Sequence, residues 1–580
     1  MLDVAGQEKA LLALANDDFL ADVRLLSQSQ LSELRHRSIT CAIEADTTFA
    51  GKPVRLRVGV DGRFPLSLPA IFLVPADAMG FIPHVEVDGD GYVCFAQTEG
   101  LLLDAANPVG ILRESLARAI AVLSGGVSGE NRADFTDELA AYWHRVALKV
   151  PISSFLHVDS VPREVVAYRA GQNFVLVADR DDDVRSYYNG ENWKHKPTAR
   201  HSALYVPLIT SPQVPPPRRG RLWTIEQIRG IVRTSLPEQA YGEVERLCKR
   251  HRSEELVILG VPRPSGGVIL VGLLFRDVNG GHPLLAGRAQ DPPVPLEIHR
   301  YDIAYLLPRG GGRIDLHKRR VLVAGCGAVG GHIVLALART GIGHLTLVDP
   351  DVMTPEITFR HVLGNSAIDR PKVEALRKEI AAKYPYVTVA VHQQRIEESF
   401  AAGRVKPNDF DLIILATGNS TVELYLNELL YKSDGAPPMV FAWLEPYGIG
   451  GHVLLALPGR PGCLRCLYTP YWKGESSLAN RAAFAAPGQV FGKDDLGCGS
   501  LYTPYGALDA ERTADQAVSL SLEALLGQEP SSPLLSWKGL PMHFLAAGFQ
   551  LSPRYQMGVQ ELHDTRFEYI NPLCPVCAER

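Results

Sequence analysis

Three glycines and an aspartate have the spacing of a nucleotide-binding turn. Gly325, Gly327 and Gly330 follow an apolar run at 321–324 and open a helical pattern, and the next apolar run ends in Asp349. Glycines allow a backbone to turn tightly and to approach a phosphate at a helix N-terminus, where the acid can accept a ribose hydroxyl. The order of strand, glycine turn, helix and strand predicts a nucleotide-binding βαβ unit.

Two cations follow this unit. Arg360 and Lys372 occupy positions at which a dehydrogenase would simply continue its sheet. An arginine fork and a lysine point charge suit a triphosphate and the charge that develops on a transferring phosphoryl group. The alternative is that both are surface cations beside an ordinary dinucleotide fold.

Two Cys-x-x-Cys pairs supply thiols that suit a metal ion. Cys463 and Cys466 form the first pair, and Cys574 and Cys577 form the second. Four thiolates suit tetrahedral Zn²⁺ and leave no open coordination position, so we expect a structural ion. A redox dithiol or two unrelated cysteine pairs are the alternatives.

A further cysteine, Cys498, lies between two glycines in a loop-like stretch ahead of a helical pattern. Such a position suits an accessible thiolate, because the N-terminus of a following helix stabilises negative charge. An inert loop cysteine is the alternative.

Composition limits the classes of protein to consider. The 580 residues have room for roughly three or four domains, are 46% hydrophobic and 21% charged, and carry a net charge of −5. We find no basic block, signal-peptide pattern or apolar run of membrane-spanning length, so we expect neither nucleic acid nor a membrane as partner. The nine cysteines, with a thiolate metal site among them, indicate a reducing cytoplasm.

The elements that must position these residues fall into three regions. In 1–150, helical spacing covers 8–34, strands are expected at 38–43 and 54–60, and helical patterns follow a proline-rich turn. These later helical patterns cover 111–123 and 134–148.

The region 151–300 is less legible. It has a helical pattern over 237–250 but lacks clustered acids, histidines and cysteines, which argues against a catalytic centre. We interpret it as a mixed α/β linker or docking domain. Its strand-like runs lie at 174–178, 204–209, 256–260 and 268–275.

The segment 320–372 resembles the ThiF/MoeB and ubiquitin-activating adenylyltransferases, which activate the C-terminal glycine of a ubiquitin-like carrier as an acyl-adenylate. The resemblance rests on the glycine turn, the ARTGIGHLTLVDPD run, the Arg-His pair and the later lysine. It implies that Gly325, Gly327, Gly330 and Asp349 hold ATP and that Arg360 and Lys372 hold its phosphates. It also implies that zinc pins the end of the chain and that Cys498 takes the carrier as a thioester.

The N-terminal region looks like a ubiquitin-conjugating enzyme. Gly91-Tyr92-Val93-Cys94 fits the family's cysteine segment, and Pro83 fits its proline. By this resemblance Cys94 is a nucleophile; a buried strand cysteine is the alternative. The family's oxyanion-supporting asparagine falls at His84 and its histidine at Ile82. His84 could donate to the same oxyanion, act as a base, or simply pack in a turn.

Together the two ends resemble bacterial fusion proteins of antiphage operons that attach a cyclic-nucleotide synthase to cellular targets. The resemblance implies a homodimer and a carrier that ends in glycine, either ubiquitin-like or a cGAS-like nucleotidyltransferase. It further implies a thioester relay from Cys498 to Cys94 and an amide bond to a target lysine. The implied cofactors are ATP, Mg²⁺ and structural Zn²⁺.

Two positions depart from the activating-enzyme pattern. Ile357 stands where that family usually has an asparagine, and Gly418 stands where it has the aspartate that binds Mg²⁺. Asp351 or another acid would then hold the metal. Adenylation of a sulfur carrier for cofactor synthesis and a non-catalytic carrier-binding scaffold are the alternative functions.

The predicted fold class is α/β multidomain. We expect an α+β ubiquitin-conjugating-like fold over 1–150 and the mixed α/β linker domain over 151–300. We expect a Rossmann-like ThiF/MoeB adenylation domain with a structural zinc site over 301–580.

Overall fold

The computed structural model describes residues 2–49, 51–96, 100–188, 199–212, 214–471, 479–494 and 501–578. The chain divides into two compact units. The first comprises Met1–Asp181 with His195–Tyr301, and the second comprises Asp182–Lys194 with Asp302–Arg580. No helix in the described part of the chain combines the length and the apolar character that crossing a bilayer requires.

The N-terminal part of the first unit is an antiparallel four-stranded sheet in the order β1-β2-β3-β4, with a long helix packed against it. Its strands are β1 (Ala21–Leu25), β2 (Ile39–Phe49), β3 (Lys52–Asp61) and β4 (Ala70–Val74). Its helices are α1 (Val4–Leu12), α2 (Gln28–Glu33), α3 (Pro108–Ser128), α4 (Asp134–Asp137) and α5 (Leu139–Val146).

Local sequence explains the long helix. Asn107 caps α3 by accepting from the Gly110 N–H, proline opens the first turn, and Gly129 ends the helix with a φ of 84°. Leu112 and Leu116 lie on its buried face and pack in the same core as the strand residues of the sheet. The sheet and α3 therefore share one hydrophobic core.

The prediction of continuous helical spacing over 8–34 is wrong in its middle. β1 interrupts it and pairs with β2, and α2 starts afresh where the Ser27 hydroxyl and the Gln30 side chain form a capping box. The helical pattern over 134–148 also divides, into α4 and α5, and Leu148 already belongs to the next strand.

The rest of the first unit is a closed barrel in the order β10-β11-β5-β7-β6-β8-β9. Three of its strands mix polar or charged residues with apolar ones and are not evident from sequence, namely β5, β6 and β11, so the closure into a barrel is not predicted. The strands are β5 (Leu148–Phe155), β6 (Arg163–Ala170), β7 (Asn173–Ala178), β8 (Ala199–Pro207), β9 (Glu255–Pro262), β10 (Val268–Phe275) and β11 (Val294–Arg300). The helices of this stretch are α6 (Asp181–Tyr188), α7 (Ile225–Ser235) and α8 (Glu238–Leu247), of which α6 belongs to the second unit from Asp182 onward.

The second unit contains a seven-stranded sheet in the order β14-β13-β12-β15-β16-β17-β20. The first five strands are parallel to one another. β17 pairs antiparallel with β16, and β20 pairs antiparallel with β17. The strands of this sheet are β12 (Arg320–Ala324), β13 (His344–Val348), β14 (Thr388–His392), β15 (Leu412–Leu415), β16 (Met439–Leu444), β17 (Gly450–Ala456) and β20 (Leu534–Lys538). The short strands β18 (Lys493–Asp494) and β19 (Leu501–Tyr502) form a separate two-stranded sheet. The helices are α9 (Ile303–Arg309), α10 (Ala328–Thr340), α11 (Lys372–Lys383), α12 (Ile396–Ala401), α13 (Ser420–Tyr431), α14 (Ala507–Leu525), α15 (Met542–Ala546) and α16 (Val559–Asp564).

This sheet determines where a ligand can bind in the second unit. In an open parallel sheet, ligands bind outside the carboxyl ends of the strands. β12, β13 and β15 are neighbours, so the segments that follow them meet at one edge. The glycine turn, Asp349 and Gly418 all lie in these segments.

Candidate functional site

The glycine turn joins β12 to α10 by backbone contacts that exclude a side chain. Gly325 has a φ of 84°, and a Cβ there would lie 2.3 Å from the Ala416 carbonyl oxygen. A Cβ on Gly330 would lie 1.8 Å from the Gly325 carbonyl oxygen. At Gly327 a Cβ would meet no heavy atom of the described residues within 4 Å, so the N-terminus of α10 faces open space. The turn is therefore closed from behind and open in front, as an anion-binding helix N-terminus requires.

Asp349 fixes the shape of this turn. Its two carboxylate oxygens accept from the Cys326 N–H at 2.6 Å and from the Asp351 N–H at 2.8 Å. Burial raises the pKa of Asp349, and the nearby Lys372 ammonium opposes that rise. A carboxylate has about four lone-pair sites, so these two bonds leave it able to accept a hydroxyl.

Lys372 begins α11 and is buried, with its Nζ donating to Asp351 Oδ2 at 2.7 Å. His361, to which the sequence analysis assigns no role, supports the same turn. Its Nε2–H donates to the Cys326 carbonyl at 2.8 Å, and its Nδ1 accepts from the Leu363 N–H. Burial lowers the pKa of His361 to about 4, so it is a neutral structural donor.

Arg360 makes different contacts. Its guanidinium lies 4.7 Å from the centroid of the Tyr505 ring and donates to the Thr503 carbonyl at 3.4 Å. Its Nε is buried without a hydrogen-bond partner among the described residues. Arg360 thus contacts the segment that follows Cys498 in sequence, and Cys498 itself lies outside the described residues.

Near Gly418, where the sequence analysis finds no metal-binding acid, the structure places a buried carboxyl group. Glu423 lies in α13 and is 4% exposed. Its Oε1 accepts from the N–H of Thr417 at 3.0 Å and from the Thr417 hydroxyl at 2.8 Å. Burial raises the pKa of Glu423 to about 7, against the effect of these hydrogen bonds. Glu423 belongs to no sequence motif, because it lies inside α13 and only the fold brings it to Thr417.

The four cysteines of the two Cys-x-x-Cys pairs come together. All are buried, and their sulfurs lie within 4.8 Å of one another. Sγ of Cys463 is 3.7 Å from Sγ of Cys574, and Sγ of Cys466 is 3.2 Å from Sγ of Cys577. Tetrahedral Zn–S bonds of 2.3 Å place sulfurs about 3.8 Å apart. The cluster fits a four-thiolate metal ion.

In the first unit, Cys94 is exposed and follows a tight turn. Gly91 has a φ of 78°, and a Cβ there would lie 2.1 Å from the Leu73 carbonyl oxygen. The Cys94 N–H donates to the His84 carbonyl at 2.8 Å, which fixes the two residues side by side. An exposed thiol on a rigid turn is available for reaction, unlike a buried strand cysteine.

His84 is held between two carboxylates that the sequence analysis does not identify. Its Nε2 lies 2.8 Å from Asp134 Oδ2, and its Nδ1 lies 3.1 Å from Glu138 Oε1, a distance for an ion pair but without hydrogen-bond alignment. The pKa of His84 is raised to about 10, first by the neighbouring Cys94 side chain and then by Glu138 and Asp134. The backbone of His84 has a φ of 64°, a strained conformation that recurs at functional sites.

This environment favours one of the three roles considered for His84, that of a hydrogen-bond donor. Because it stays protonated through neutral pH, it can donate a charged hydrogen bond but cannot take up a proton. Sequence could not have found its partners, since acids at Asp134 and Glu138 look like any helix surface until the fold brings them to Cys94.

Comparisons with known proteins find a family match near each end of the chain. Residues 304–520 match the ThiF family, and residues 17–150 match the prokaryotic E2 family B. ATP-dependent ubiquitin transferase-like protein Cap2 of Pseudomonas aeruginosa is 24% identical over 84% of this chain and 85% of its own length. Cap2 of Escherichia coli is 26% identical over 49% of this chain and 45% of its own length.

A third relative matches the second unit. Adenylyltransferase and sulfurtransferase UBA4 of Yarrowia lipolytica is 27% identical over 30% of this chain and 44% of its own length. The family matches and relatives support ATP-dependent adenylyl transfer and ubiquitin-like conjugation as the general chemistry, and they confirm both resemblances inferred from the motifs. The N-terminal region is therefore similar to the prokaryotic E2 family B, the C-terminal region is similar to the ThiF family, and over most of its length the chain is similar to the ubiquitin transferase-like protein Cap2.

Proposed function

We propose that this chain uses ATP to activate the C-terminal glycine of a protein carrier and then joins that carrier to an amine through cysteine thioesters. The observation that carries the proposal is the exposed Cys94 thiol beside His84, whose ring lies between the carboxylates of Asp134 and Glu138, in a chain that also matches the ThiF family. Adenylation alone would require no reactive cysteine in the first unit.

In the first step the carrier carboxylate attacks the α-phosphorus of ATP, pyrophosphate leaves, and an acyl-adenylate forms. The glycine turn and the α10 N-terminus would receive phosphate oxygens, because open space lies in front of Gly327. Lys372, held by Asp351, would supply positive charge, and Asp349 would accept a ribose hydroxyl. Arg360 would reach the phosphates only by leaving its contact with Tyr505.

Two metal ions complete this part of the proposal. Mg²⁺ would neutralise charge on the phosphates when bound, and the exposed carboxylate of Asp351 is the candidate ligand. Zn²⁺ would occupy the four-cysteine cluster and hold the segment around Cys574 and Cys577 against the sheet. Both are proposed from the residues present.

The acyl group would then pass through two thioesters. The Cys498 thiolate attacks the acyl carbon and displaces AMP, and the Cys94 thiolate displaces Cys498. An amine, such as a target lysine, then attacks the Cys94 thioester; the C–S bond breaks, the amide forms, and the amine loses a proton. His84, kept protonated by Asp134 and Glu138, would stabilise the oxyanion and the departing thiolate.

The carrier, in this proposal, is a ubiquitin-like protein or a cGAS-like nucleotidyltransferase with a C-terminal glycine. The enzyme would act as a homodimer in the cytoplasm, in antiviral defence. These assignments follow from the resemblance of the two ends of the chain to bacterial fusion proteins of antiphage operons, and the similarity to Cap2 supports the conjugation chemistry.

Trapping the acyl group on residue 94 tests the proposal. Cys94→Ser, expressed in its own host, should carry the acyl group as an oxyester that survives reducing agent and is found by peptide mass spectrometry. Cys94→Ala is the matched control and should carry none. The adduct should also disappear when Cys498→Ala is added. A Cys94→Ser protein without an adduct, in cells that contain the carrier, would contradict the proposal.

A second candidate is adenylation of a sulfur carrier, which the similarity to UBA4 favours for the second unit. It predicts that Cys94→Ala retains both ATP–pyrophosphate exchange and formation of the final carrier product. Loss of the final product with retained exchange would exclude it.

A further inference from the structure

A turn of the barrel contacts the loop that carries His84 and Cys94. The turn is closed by two hydrogen bonds between Arg218 and Arg221, at 3.2 Å and 2.9 Å, and contains Gly220 with a φ of 73°. Trp223, just beyond it, donates to the Pro215 carbonyl at 2.8 Å. The backbone of Arg218 is therefore fixed from both sides.

The Arg218 side chain reaches the loop at two points. Its Nη1 lies 3.0 Å from Asp88 Oδ1, and its guanidinium lies 5.1 Å from the centroid of the Phe81 ring. The Arg218 side chain is only 20% exposed and that of Asp88 is 31% exposed, so solvent screens this pair incompletely. A planar guanidinium can make both contacts at once, which an ammonium group cannot do equally well.

These two points lie on either side of His84 in sequence. Phe81 precedes His84 by three residues and packs on Phe135, the neighbour of Asp134, at 4.7 Å between ring centroids. On the other side, the Glu86 N–H donates to the Tyr92 carbonyl at 2.9 Å and closes the loop. A displacement of either point would move His84 relative to Cys94.

Beside the contact lies a cavity of about 290 Å³, lined by Arg218, Arg219, Glu86, Asp90 and Tyr142 among others. The loop is therefore incompletely packed on this side, and a small number of charged contacts holds it. Within the N-terminal part itself, Arg37 and Arg145 pair with Glu86. Arg218 is a contact that the barrel adds to this loop, whereas Ser265 and Arg263 of the barrel reach Asp137 in α4.

We propose that Arg218 is a positioning residue for Cys94: the barrel holds the loop 81–94 so that His84 stays aligned with the thiol. The expected benefit, faster acyl transfer from Cys94 to the amine, rests on the proposed function. Without Arg218 the loop would shift, and misplacement of about 1 Å can slow a reaction on the order of 100-fold. Adenylation in the second unit would be unaffected.

Measurements on the full chain without carrier test the positioning itself. We expect Arg218→Ala to accelerate hydrogen–deuterium exchange in 81–96 while the barrel strands stay protected. Alkylation of Cys94 by iodoacetamide, followed by peptide mass spectrometry from pH 5 to 10, should show a pH profile displaced from that of the wild type. Arg219 lines the same cavity, and Arg219→Ala should leave both the hydrogen–deuterium exchange and the alkylation profile unchanged. Arg218→Lys should restore part of the protection.

A charge exchange provides the second test. Asp88→Arg should loosen the loop as Arg218→Ala does, and adding Arg218→Asp should restore exchange and alkylation towards wild-type values. Native loop exchange and an unchanged alkylation profile in Arg218→Ala would overturn the inference, and so would failure of the exchanged pair to recover. These measurements need neither ATP nor carrier, so their failure is distinct from the absence of an oxyester on Cys94→Ser, which would contradict the proposed function.

Discussion

The nucleotide site and the Cys94 site are built in different ways. In the second unit, Gly325, Gly330 and Asp349 shape a turn from backbone atoms within one stretch of chain. In the first unit, Cys94 and His84 depend on carboxylates that arrive about 50 residues further along. A site made of backbone is damaged by adding a Cβ, whereas a site made of side chains is damaged by removing one.

The largest expected effect is that of adding a methyl group to the backbone-built site. Gly330→Ala would place its Cβ 1.8 Å from the Gly325 carbonyl oxygen, so α10 and the turn must separate. We expect ATP–pyrophosphate exchange to fall on the order of 100-fold, as for other displacements of about 1 Å. Cys94 alkylation should not change.

Gly558→Ala is the matched control in the same unit, since a Cβ there meets no heavy atom of the described residues within 4 Å and its φ is −68°. Its rate of ATP–pyrophosphate exchange should equal that of the wild type. If Gly330→Ala also exchanged normally, the turn would not be the nucleotide site and the comparison would fail.

The same difference explains what could be predicted from sequence. The strands at 321–324 and 345–348 were within reach because turn, helix and strands are local, and they match β12 and β13 closely. Asp134, Glu138, His361 and Glu423 were not, because their roles depend on contacts made only after folding. The barrel was not predicted for a related reason: β6 contains charged Arg163, Glu164 and Arg169, β11 contains charged Glu297 and Arg300, and neither is evident as a strand until its partners are known.

The second expected effect is on the pH dependence of the first unit. The pKa of His84 is raised to about 10 in the folded protein, chiefly by Cys94, Glu138 and Asp134. The protonated His84 therefore contributes fully to the unfolding free energy at pH values below about 6.5, the pKa of histidine in the unfolded chain. This contribution is lost as the pH rises through about 10. We expect the unit to lose about 5 kcal/mol of unfolding free energy across this range, of which about 3 kcal/mol is lost between pH 6 and pH 9.

Hydrogen exchange of α3, which shares the core of the sheet, measures this stability at pH 6 and pH 9 without interference from the second unit. His84→Gln should remove the pH dependence. A wild-type unit that is equally stable at both values would show that His84 is not held as an ion, and the side-chain-built description of this site would lose its main support.

The smallest expected effect concerns Glu423, a buried side chain that supports the backbone-built site from inside. It bonds Thr417, and the Cα of Thr417 is one of the atoms that a Cβ on Gly325 would meet, at 2.7 Å. Burial raises the pKa of Glu423 to about 7, so its ionised form is disfavoured in the fold and stability falls as the pH rises from about 4.5 through 7. Glu423→Gln keeps an oxygen acceptor for Thr417 and removes the charge. It should be about 3 kcal/mol more stable than the wild type above pH 7 and equal to it below pH 4.5.

Exchange activity then decides what this carboxyl does for the nucleotide site. If the turn depends on backbone alone, Glu423→Gln should exchange pyrophosphate like the wild type, while Glu423→Ala, which loses both bonds to Thr417, should raise the KM for ATP several-fold. A Glu423→Gln protein that is more stable yet exchanges much more slowly would mean that the ionised carboxylate acts on the nucleotide or its metal. The second unit would then also rely on a side chain brought in by the fold, and the contrast with Cys94 would be one of degree.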